Sequence, residues 1–426
     1  MKNRQVLSTL FVGIDVSSRS NEVCAIDFGE ERYLQSSFSN NHPGAVSLAE
    51  KLADIMKNHP DFTRLVIALE STSCYSTHIA TFLSSTEILM PFNPYVYCLN
   101  PKSVEQYRKS FVSIGKSDPI CAFIIADFAR VGRIKTEPWR GSQFLALQRL
   151  TRHRLHLIEA ITREKTYMLT NIFLKFSALA VSSKEDKPFS SNYGATAAAV
   201  LTEFLSPEEI VSSSSAELVE FICKKSKNSF NDPDKVAVLL KKAATDSYKL
   251  DKCLYEPLTI SIASSFNCIN AFEGEVKKLN KAIEKAIRGF NTNEYQCLTS
   301  IPGIGPVYAS GILAEIGSIK AFPSQDALAK YAGLVWNRNQ SGDFEADDTR
   351  MSKAGNRYLR YYLIEAANSV KNHSDTYNDF YHKKFGEVKK HQHKRALALT
   401  SRKLIRLIFG LLDKNQLYSK NVEPKI

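Results

Sequence analysis

Short apolar runs alternate with amphipathic stretches over the first third of the chain. Three of these runs are predicted strands, and the first two are expected to pair as a hairpin: Leu10–Val16, Glu22–Phe28 and Leu65–Leu69. Helical periodicity is present over Gly44–His59 and again over Lys116–Val131. Strands that alternate with helices are typical of an α/β domain with a mixed sheet.

The middle of the chain has the pattern of long helices. From Phe144 to beyond Met168, leucines and isoleucines recur at helical spacing among basic residues, which predicts one long amphipathic helix. The polar stretch Ser182–Asn192 is a predicted loop, and a second long helical stretch is predicted from about Pro233 to Ile287. Two long helices of this kind indicate a coiled-coil-like arm.

The last third is predicted to be mostly helical. The segment Leu298–Pro306 precedes an apolar helix, and further helices flank the polar connection Gln340–Gly355. The predicted fold class is therefore α/β plus α. Its expected parts are an α/β domain at 8–140, a helical arm at 141–290, a C-terminal domain at 291–395 and a basic tail at 396–426.

Composition adds a polyanionic partner to this picture. The 426 residues include 56 Lys and Arg against 44 Asp and Glu, a net charge of +12. A charge of this size favours a polyanion such as nucleic acid and says nothing about fold. The eight cysteines are scattered without a Cys-x-x-Cys pair, so a disulfide framework or a zinc site is not expected.

Hydropathy favours a cytoplasmic protein without a membrane partner. Residues Met1–Leu10 have no signal-peptide pattern, and no apolar run approaches the roughly 18 residues that span a bilayer. The run Leu404–Leu412 is about half that length and is interrupted by Arg406.

Three carboxylates stand near the ends of elements in the α/β domain. Asp15 lies inside an apolar strand, Glu70 directly follows one, and Asp118 begins a helix. A buried carboxylate needs a partner, and hard oxygen ligands suit Mg²⁺, which serves phosphodiester chemistry. Taken singly, Asp118 is also explained as a helix N-cap, and Glu70 as a solvated strand end.

The segment Ile301–Pro306 carries Gly303 and Gly305 ahead of an apolar helix. Glycines allow close backbone approach, and amides at a helix N-terminus bind a nucleic-acid phosphate. The form is that of a helix–hairpin–helix element, and the alternative is a tight turn between helices. The many basic residues after Lys371 favour phosphate binding.

Ser341 lies in the predicted loop Asn339–Gly342. A Ser–Gly pair in a loop is usually part of a turn. No His or Lys beside it in the sequence marks the hydroxyl as an activated nucleophile. From the residues alone, Ser341 is interpreted as a turn residue.

The motifs taken together resemble the insertion-sequence 110 family of transposases, the bridge-RNA-guided DNA recombinases. The resemblance covers most of residues 10–370, and the set is specific because the motifs follow the family's order. The stretches that carry it are Gly13–Ser17, Ala68–Thr72, Lys116–Asp118 with Ala122, Leu147–Arg152, Ile301–Pro306, Lys330–Leu334, Gln340–Gly342 and Ser352–Arg360.

The resemblance implies an N-terminal domain like the Holliday-junction resolvase RuvC, with an RNase H-type fold, and a C-terminal transposase domain. Asp15, Glu70 and Asp118 match the first three positions of the family's Asp-Glu-Asp-Asp site for Mg²⁺. Ser341 matches its catalytic serine, which implies attack on a DNA phosphodiester and a phosphoserine link. Nucleic acid is then expected at Gly303, Gly305, Arg149, Arg152, Lys353, Arg357 and Arg360.

The resemblance also implies partners. Donor and target DNA would pair with a noncoding bridge RNA, so that base pairing chooses the sequence. A homo-oligomer, either a dimer or a tetramer, would be required if the acidic residues and the serine of one site come from different subunits. The expected location is the bacterial or archaeal cytoplasm, associated with the nucleoid.

One position departs from the family pattern. The fourth acidic position falls on Cys121, which shares a helix face with Asp118 but offers a thiol, a poor ligand for Mg²⁺. Asp127 does not replace it, because nine residues at about 100° each place it on the opposite side of the helix. Weaker metal binding, an inactive copy, or three carboxylates with water all remain open. The alternative functions are a RuvC-like structure-selective nuclease and a decayed transposase that only binds nucleic acid.

Overall fold

A mixed sheet of five strands organises the N-terminal part of the chain. The computed structural model describes residues 6–71, 74–111, 117–134, 137–183, 185–289, 293–336 and 351–419, with the main chain of 340–341 and 344–345. The strands are β1 (Thr9–Val16), β2 (Ser20–Ile26), β3 (Arg32–Ser39), β4 (Arg64–Glu70) and β5 (Tyr95–Leu99). Their order is β3-β2-β1-β4-β5, and β1 pairs antiparallel with β2 and parallel with β4.

The sheet is covered by helices on both faces. The helices are α1 (His42–Asn58), α2 (Ser76–Ser85), α3 (Pro101–Arg108) and α4 (Asp118–Arg130), with a short 3₁₀ turn at Met90–Phe92. Alternate residues of β1 and β4 face opposite sides. Leu10 and Ile67 belong to the core that includes α1 and α2, whereas Phe11 and Val66 belong to the core that includes α4. The expected α/β domain with a mixed sheet is therefore confirmed.

Residues 149–288 form a helical unit with its own apolar core. Its helices are α5 (Ser142–Lys175, which begins before the unit), α6 (Ser177–Val181), α7 (Ala195–Glu203), α8 (Pro207–Ser212), α9 (Ser215–Ser226), α10 (Pro233–Thr245) and α11 (Lys252–Arg288). Antiparallel packing of α5 on α11 is held by polar contacts such as Arg154 Nε to Asn280 Oδ1 at 2.7 Å and Ser265 Oγ to Glu164 Oε1 at 2.6 Å.

The expected second helix over Pro233–Ile287 is interrupted. Helix α10 ends at Thr245, and α11 begins at Lys252 after Asp251 accepts a hydrogen bond from the amide of Cys253. The Tyr248 amide donates to Ser177 Oγ, which fixes the connecting loop. The shorter helices share the core with α5 and α11, so this region is a globular helical unit rather than a simple pair of long helices.

The remaining helices belong to the second part of the unit formed by residues 1–148 and 289–426. They are α12 (Asn293–Thr299), α13 (Pro306–Ile316), α14 (Gln325–Ala332), α15 (Arg357–Val370), α16 (Asp375–Gly386) and α17 (Gln392–Lys414), with a 3₁₀ turn at Ile319–Ala321. Two short strands, β6 (Gln340–Ser341) and β7 (Phe344–Glu345), form a hairpin between α14 and α15.

The expectation of a basic tail from residue 396 needs correction, because the proposed boundary falls inside α17. The basic side chains of this helix alternate with an apolar face, and Leu404, Ile405 and Ile408 are fully buried. The many basic residues suggested a tail, whereas this region forms the packed helix α17. No helix in the described part of the chain is both long enough and apolar enough to cross a membrane.

Candidate active site

A row of carboxylates crosses the sheet near the C-terminal end of β1. The antiparallel register places Glu22 of β2 directly opposite Asp15. The parallel register pairs Ile14 with Leu69, so the next residues, Asp15 and Glu70, follow side by side. Directly opposite residues point to the same face of a sheet, with Cβ atoms about 4.5–5.5 Å apart in antiparallel pairs. Glu22, Asp15 and Glu70 thus occupy one face on three neighbouring strands.

Helix α4 covers that same face and runs opposite to β1. Gly13 lies two residues before Asp15, and a Cβ there would come within 2.1 Å of the Ala122 carbonyl oxygen, so only glycine admits the helix. The far end of α4 is anchored beyond β2, where Arg130 Nη1 donates to the Phe28 carbonyl at 3.1 Å. The first turn of α4, which carries Asp118, therefore lies toward the acidic end of β1.

The two candidate ligands of α4 differ in environment. Asp118 is exposed at the first helical position, and Cys121 is half-buried one turn later. The Arg108 guanidinium lies within electrostatic range of Cys121 and makes two hydrogen bonds to Glu105. An aspartate at position 121 would therefore stand near the Arg108 cation.

Asp127 has a structural role. It is almost fully buried, accepts a hydrogen bond from the Tyr107 hydroxyl at 2.6 Å and one from Arg130 Nε at 2.8 Å. Burial, and then the bond to Asp127, raise the pKa of Tyr107 to about 12. These partners agree with the expectation that Asp127 does not replace the missing fourth ligand.

The donors at this edge are of the right type for a hard divalent cation, because carboxylate oxygens are the ligands that Mg²⁺ prefers. They are brought to one face by register and by the direction of α4. Among the described residues, however, no group of three or more His, Cys, Asp or Glu side chains is arranged so that it could hold a metal ion. The carboxylates therefore suit a divalent cation in their chemistry and in the face they share, but their oxygens do not meet at one point.

Glu22 was missed by the sequence analysis, which treated it only as the first residue of a predicted strand. The length of the turn between the first two strands could have identified Glu22. A short turn at Ser17–Arg19 places Asp15 opposite Glu22, provided that the turn length is known.

Ser341 lies in β6, and its main chain pairs with Phe344 of β7. The hairpin is closed at its base by a bridge between Trp336 and Met351 and by the Ser352 amide, which donates to the Val335 carbonyl at 2.8 Å. The serine is therefore part of a strand instead of an open loop. The side chain of Ser341 lies outside the described residues, as do Asp343, Asp347 and Asp348 of the acidic run that follows it in the sequence.

Two of the sequence motifs pack on each other just below this hairpin. Gly355 adopts φ +153°, and a Cβ there would lie 2.4 Å from the Tyr331 carbonyl oxygen and 2.7 Å from the Gly333 nitrogen. The Asn356 amide donates to that same carbonyl at 2.7 Å, and its side chain caps α15. Arg360 Nη1 donates to the carbonyls of Ala332 and Lys353, both at 3.0 Å. These contacts join the end of α14 to the segment that leads into α15.

The two glycines before α13 differ in their surroundings: one is packed and the other is open. Gly303 adopts φ +93°, and a Cβ there would lie 2.9 Å from the backbone of Val370, so this glycine is needed where the turn meets the end of α15. A Cβ at Gly305, which precedes the first residue of α13, would meet nothing within 4 Å. Of the two glycines, Gly305 is therefore the one whose surroundings are open to a ligand.

The basic residues expected at nucleic acid fall into two groups. Arg149, Lys353 and Arg357 are exposed. Arg152 and Arg360 are half-buried, and the guanidinium of Arg360 is engaged by main-chain carbonyls, as described above. Burial lowers the pKa of Arg360, and the neighbouring Arg357 adds to that shift.

Two family comparisons match separate parts of the chain. Residues 12–174 match the IS110-type transposase family with the Asp-Glu-Asp-Asp signature, and they include the sheet, the carboxylate row and most of α5. Residues 295–382 match a family described as transposases of the IS116/IS110/IS902 family, and they include the serine hairpin with the motifs at its base.

Individual relatives extend the similarity to nearly the whole chain. A 44.8 kDa protein of the insertion element IS116 from Streptomyces clavuligerus is 22% identical over 412 residues, 96% of each chain. A 42 kDa protein of IS900 from Mycobacterium paratuberculosis is 26% identical over 74% of this chain and 76% of its own. The transposase of IS1111A from Coxiella burnetii is 32% identical over 28% of this chain and 29% of its own.

Proposed function

The chain belongs to the IS110 family of transposases, and we propose that it cuts and rejoins DNA with Ser341 as the nucleophile under the guidance of a bridge RNA. A transposase of this family is a DNA-processing enzyme. The proposal adds three points to this family assignment: the serine nucleophile, the metal ion and the guide RNA.

The observation that carries the proposal is the acidic edge of the sheet. Asp15 and Glu70 stand side by side in register, and the first turn of α4 brings Asp118 toward the same edge. Neighbouring carboxylates offer several hard oxygens to one divalent cation. We assign Asp15, Glu70 and Asp118 as ligands of a divalent metal, with Mg²⁺ the preferred ion.

Glu22 completes the acidic set. Cys121 supplies no hard oxygen, whereas Glu22 lies directly opposite Asp15 on the same face. The residues that would hold the ion are then carboxylates of β2, β1, β4 and α4. When bound, the metal would polarise the scissile phosphate and stabilise charge that develops on its oxygens.

The chemical step is assigned to the hairpin. The Ser341 oxygen forms a bond to phosphorus while the bond from phosphorus to the leaving deoxyribose oxygen breaks. The leaving oxygen regains the proton that the serine gives up, and the strand remains attached as a phosphoserine. Gly355 packs on Tyr331, and Arg360 donates to two main-chain carbonyls. Both contacts support this assignment, because a nucleophilic side chain must be carried by a rigid part of the fold.

The remaining assignments follow the same family. Regions 8–140, 141–290 and 291–395 are proposed as the RuvC-like, helical and transposase domains, and the last extends through α17 to 414. Donor DNA, target DNA and a noncoding RNA are the proposed partners of the exposed cations Arg149, Lys353 and Arg357 and of the helix–hairpin–helix-like turn at Gly305. A homo-oligomer, cytoplasmic and associated with the nucleoid, is proposed as the working form.

Replacement of the nucleophile tests the proposal directly. Ser341→Ala is expected to abolish the covalent protein–DNA adduct and strand transfer, which denaturing gels of a labelled DNA substrate would measure. Ser352→Ala is the matched control, since this serine lies at the base of the same hairpin and its hydroxyl accepts a hydrogen bond from the Ala354 amide. An adduct that persists in Ser341→Ala would contradict the nucleophile assignment.

A nuclease that uses water is the second candidate, and a decayed transposase, which Cys121 in the fourth acidic position keeps open, is the third. Such an enzyme would keep cleaving after Ser341→Ala but lose cleavage after Asp15→Asn. A decayed transposase would bind nucleic acid and form no adduct in any variant. The same set of gels therefore separates all three functions.

A further inference from the structure

A cavity of about 520 Å³ lies outside the acidic edge, within the unit formed by residues 1–148 and 289–426. One side is formed by the segment that leaves the sheet and starts α5, with Trp139, Arg140 and Phe144. Another is formed by the end of α13, the 3₁₀ turn after it and α14, with Phe322 and Tyr331. The volume lies within the roughly 300–1,000 Å³ typical of pockets that enclose a small molecule.

The walls of this cavity are unusually aromatic and are held in place. The guanidinium of Arg140 lies over the Phe144 ring at 5.0 Å. Phe322 and Tyr331 contact each other with ring centroids 5.3 Å apart. The main-chain amide of Trp139 donates to the Val96 carbonyl at 2.7 Å and so ties this segment to β5. Aromatic planes come from both segments that bound the space.

The position of Arg140 depends on a glycine. Gly317 adopts φ +72°, and a Cβ there would lie 3.0 Å from Arg140 Cζ, so a larger residue would displace the guanidinium. The cation lies beside the C-terminal end of α13, where the helix dipole favours positive charge. Burial lowers the pKa of Arg140, and Glu137 opposes that shift. A half-buried cation beside aromatic planes can meet a phosphate or a polarised base edge.

We propose that this cavity binds the base of an unpaired nucleotide, stacked between the aromatic side chains with Arg140 beside it. Flat, polarisable groups with hydrogen-bonding edges fit the lining, which adds the amide of Asn100, the hydroxyl of Ser103 and the carboxylate of Glu137 to the rings. The net charge of +12 favours a nucleic acid over a peptide as the occupant. The inference rests on the proposed function only in that the chain binds nucleic acid.

The consequence is a preference for single strands. A stacked base must leave its duplex, and stacking tolerates any sequence because every base has a π-face. Bases that flank a cut or lie in an RNA loop are of this kind. The cavity would therefore hold an extruded base while the acidic edge and the hairpin act elsewhere on the strand.

The test compares single-stranded and duplex DNA on the full-length chain. A ten-nucleotide single strand that carries one 2-aminopurine reports stacking through its fluorescence, and anisotropy of an end label gives its affinity. Phe144→Ala is expected to weaken the affinity for the single strand by about five- to a hundredfold and to relieve the quenching of 2-aminopurine. The affinity for a duplex of the same sequence should not change.

Two further variants keep the test independent of folding. Phe144→Leu keeps apolar bulk without a π-face, so it should behave like Phe144→Ala if stacking matters and like the wild type if only packing does. Ala327→Leu narrows the cavity without removing an aromatic group, and it should also weaken single-strand binding. Tyr248→Ala, an aromatic residue exposed in the helical unit, is the matched control.

The outcomes separate this inference from the proposed function. If the wild type binds the single strand and Phe144→Leu and Ala327→Leu bind it with the same affinity, the base-binding cavity is overturned. The recombinase proposal is then left intact. Equal losses for single strands and duplexes would overturn it as well, because they indicate a general defect. No nucleic-acid binding by the wild type would overturn both proposals.

Discussion

At the scale of single residues, the acidic edge depends on strand register. Asp15, Glu22 and Glu70 are far apart in sequence or separated by a turn, but they share one face because three strands are aligned. Gly13 contributes by having no side chain, since α4 occupies the space where a Cβ would be. The arrangement of the carboxylates thus depends on Gly13 and on the registers of β1 with β2 and with β4.

Cys121→Asp is expected to raise both Mg²⁺ affinity and Mg²⁺-dependent recombination, because an oxygen ligand replaces a thiol on the face of α4 that carries Asp118. Isothermal titration with Mg²⁺ measures the first effect without any catalysis. Glu22→Gln is the matched variant, which removes one charge on the other side of Asp15 and should lower the affinity. Unchanged titration curves in both variants would argue against these ligand assignments.

At the scale of elements, buried polar groups tie helices together. Lys175, at the end of α5, is almost fully buried in the helical unit. Its Nζ donates to the carbonyls of Leu201 and Phe204 at 2.7 and 2.8 Å and to Thr259 Oγ1 at 2.6 Å. One side chain thereby joins α5, the end of α7 and α11. Burial lowers its pKa to about 8, although Glu209 opposes the shift.

This pKa predicts a pH-dependent contribution to stability. Between pH 8 and the ordinary lysine value of 10.5, the unfolded chain holds a proton that the folded chain lacks. The contribution of Lys175 to the free energy of unfolding should therefore rise with pH in that window, by at most about 1.4 kcal/mol per pH unit. Below pH 8 both states are protonated, and the cost of burying the charge is present in full.

Urea unfolding of the wild type and of Lys175→Met at pH 7, 8, 9 and 10 measures this contribution. The methionine does not titrate, so the difference in free energy between the two proteins isolates the lysine. That difference should be flat from pH 7 to 8 and then shift in favour of the wild type. A difference that is constant up to pH 10 would show that the lysine keeps its proton in the folded chain.

At the scale of the whole molecule, a net positive charge is combined with a row of carboxylates on the sheet. The chain carries +12 overall, whereas three carboxylates lie side by side on the sheet. Cations at Arg149, Lys353 and Arg357 are exposed, and those of Arg360 and Lys403 are taken up by contacts inside the fold. Net charge therefore overstates how many cations are available to a phosphate backbone.

Nucleic-acid affinity should fall steeply with salt, because each phosphate contact releases counterions and adds about −0.9 to the slope of log affinity against log salt on duplex DNA. Arg149→Ala is expected to reduce that slope by about one contact. Lys242→Ala is the matched control, since this lysine is paired with Asp186 at 2.8 Å. Fluorescence anisotropy between 50 and 300 mM KCl gives the slopes, and a flat salt dependence would contradict the electrostatic picture.

Local pattern was enough for the elements with strong periodicity. Apolar runs predicted β1, β2 and β4, and helical spacing predicted α1 and α5. Strand β3 was not predicted, because it is an edge strand whose side chains are mostly polar and exposed. Basic composition concealed α17, whose apolar face became evident only when it was seen packed.

The amino-acid sequence was sufficient to single out Asp15, Glu70, Asp118 and Ser341 as candidate site residues and to show the resemblance to a transposase family that the comparisons support. Only the tertiary structure decided which of them share a face. Register aligned Glu22 with Asp15, and the direction of α4 set the end of the sheet at which Asp118 lies. The physical reason is that a sequence pattern fixes the periodicity of one element, whereas alignment between elements depends on turn length and on contacts such as those of Gly13, which involve residues far apart in the chain.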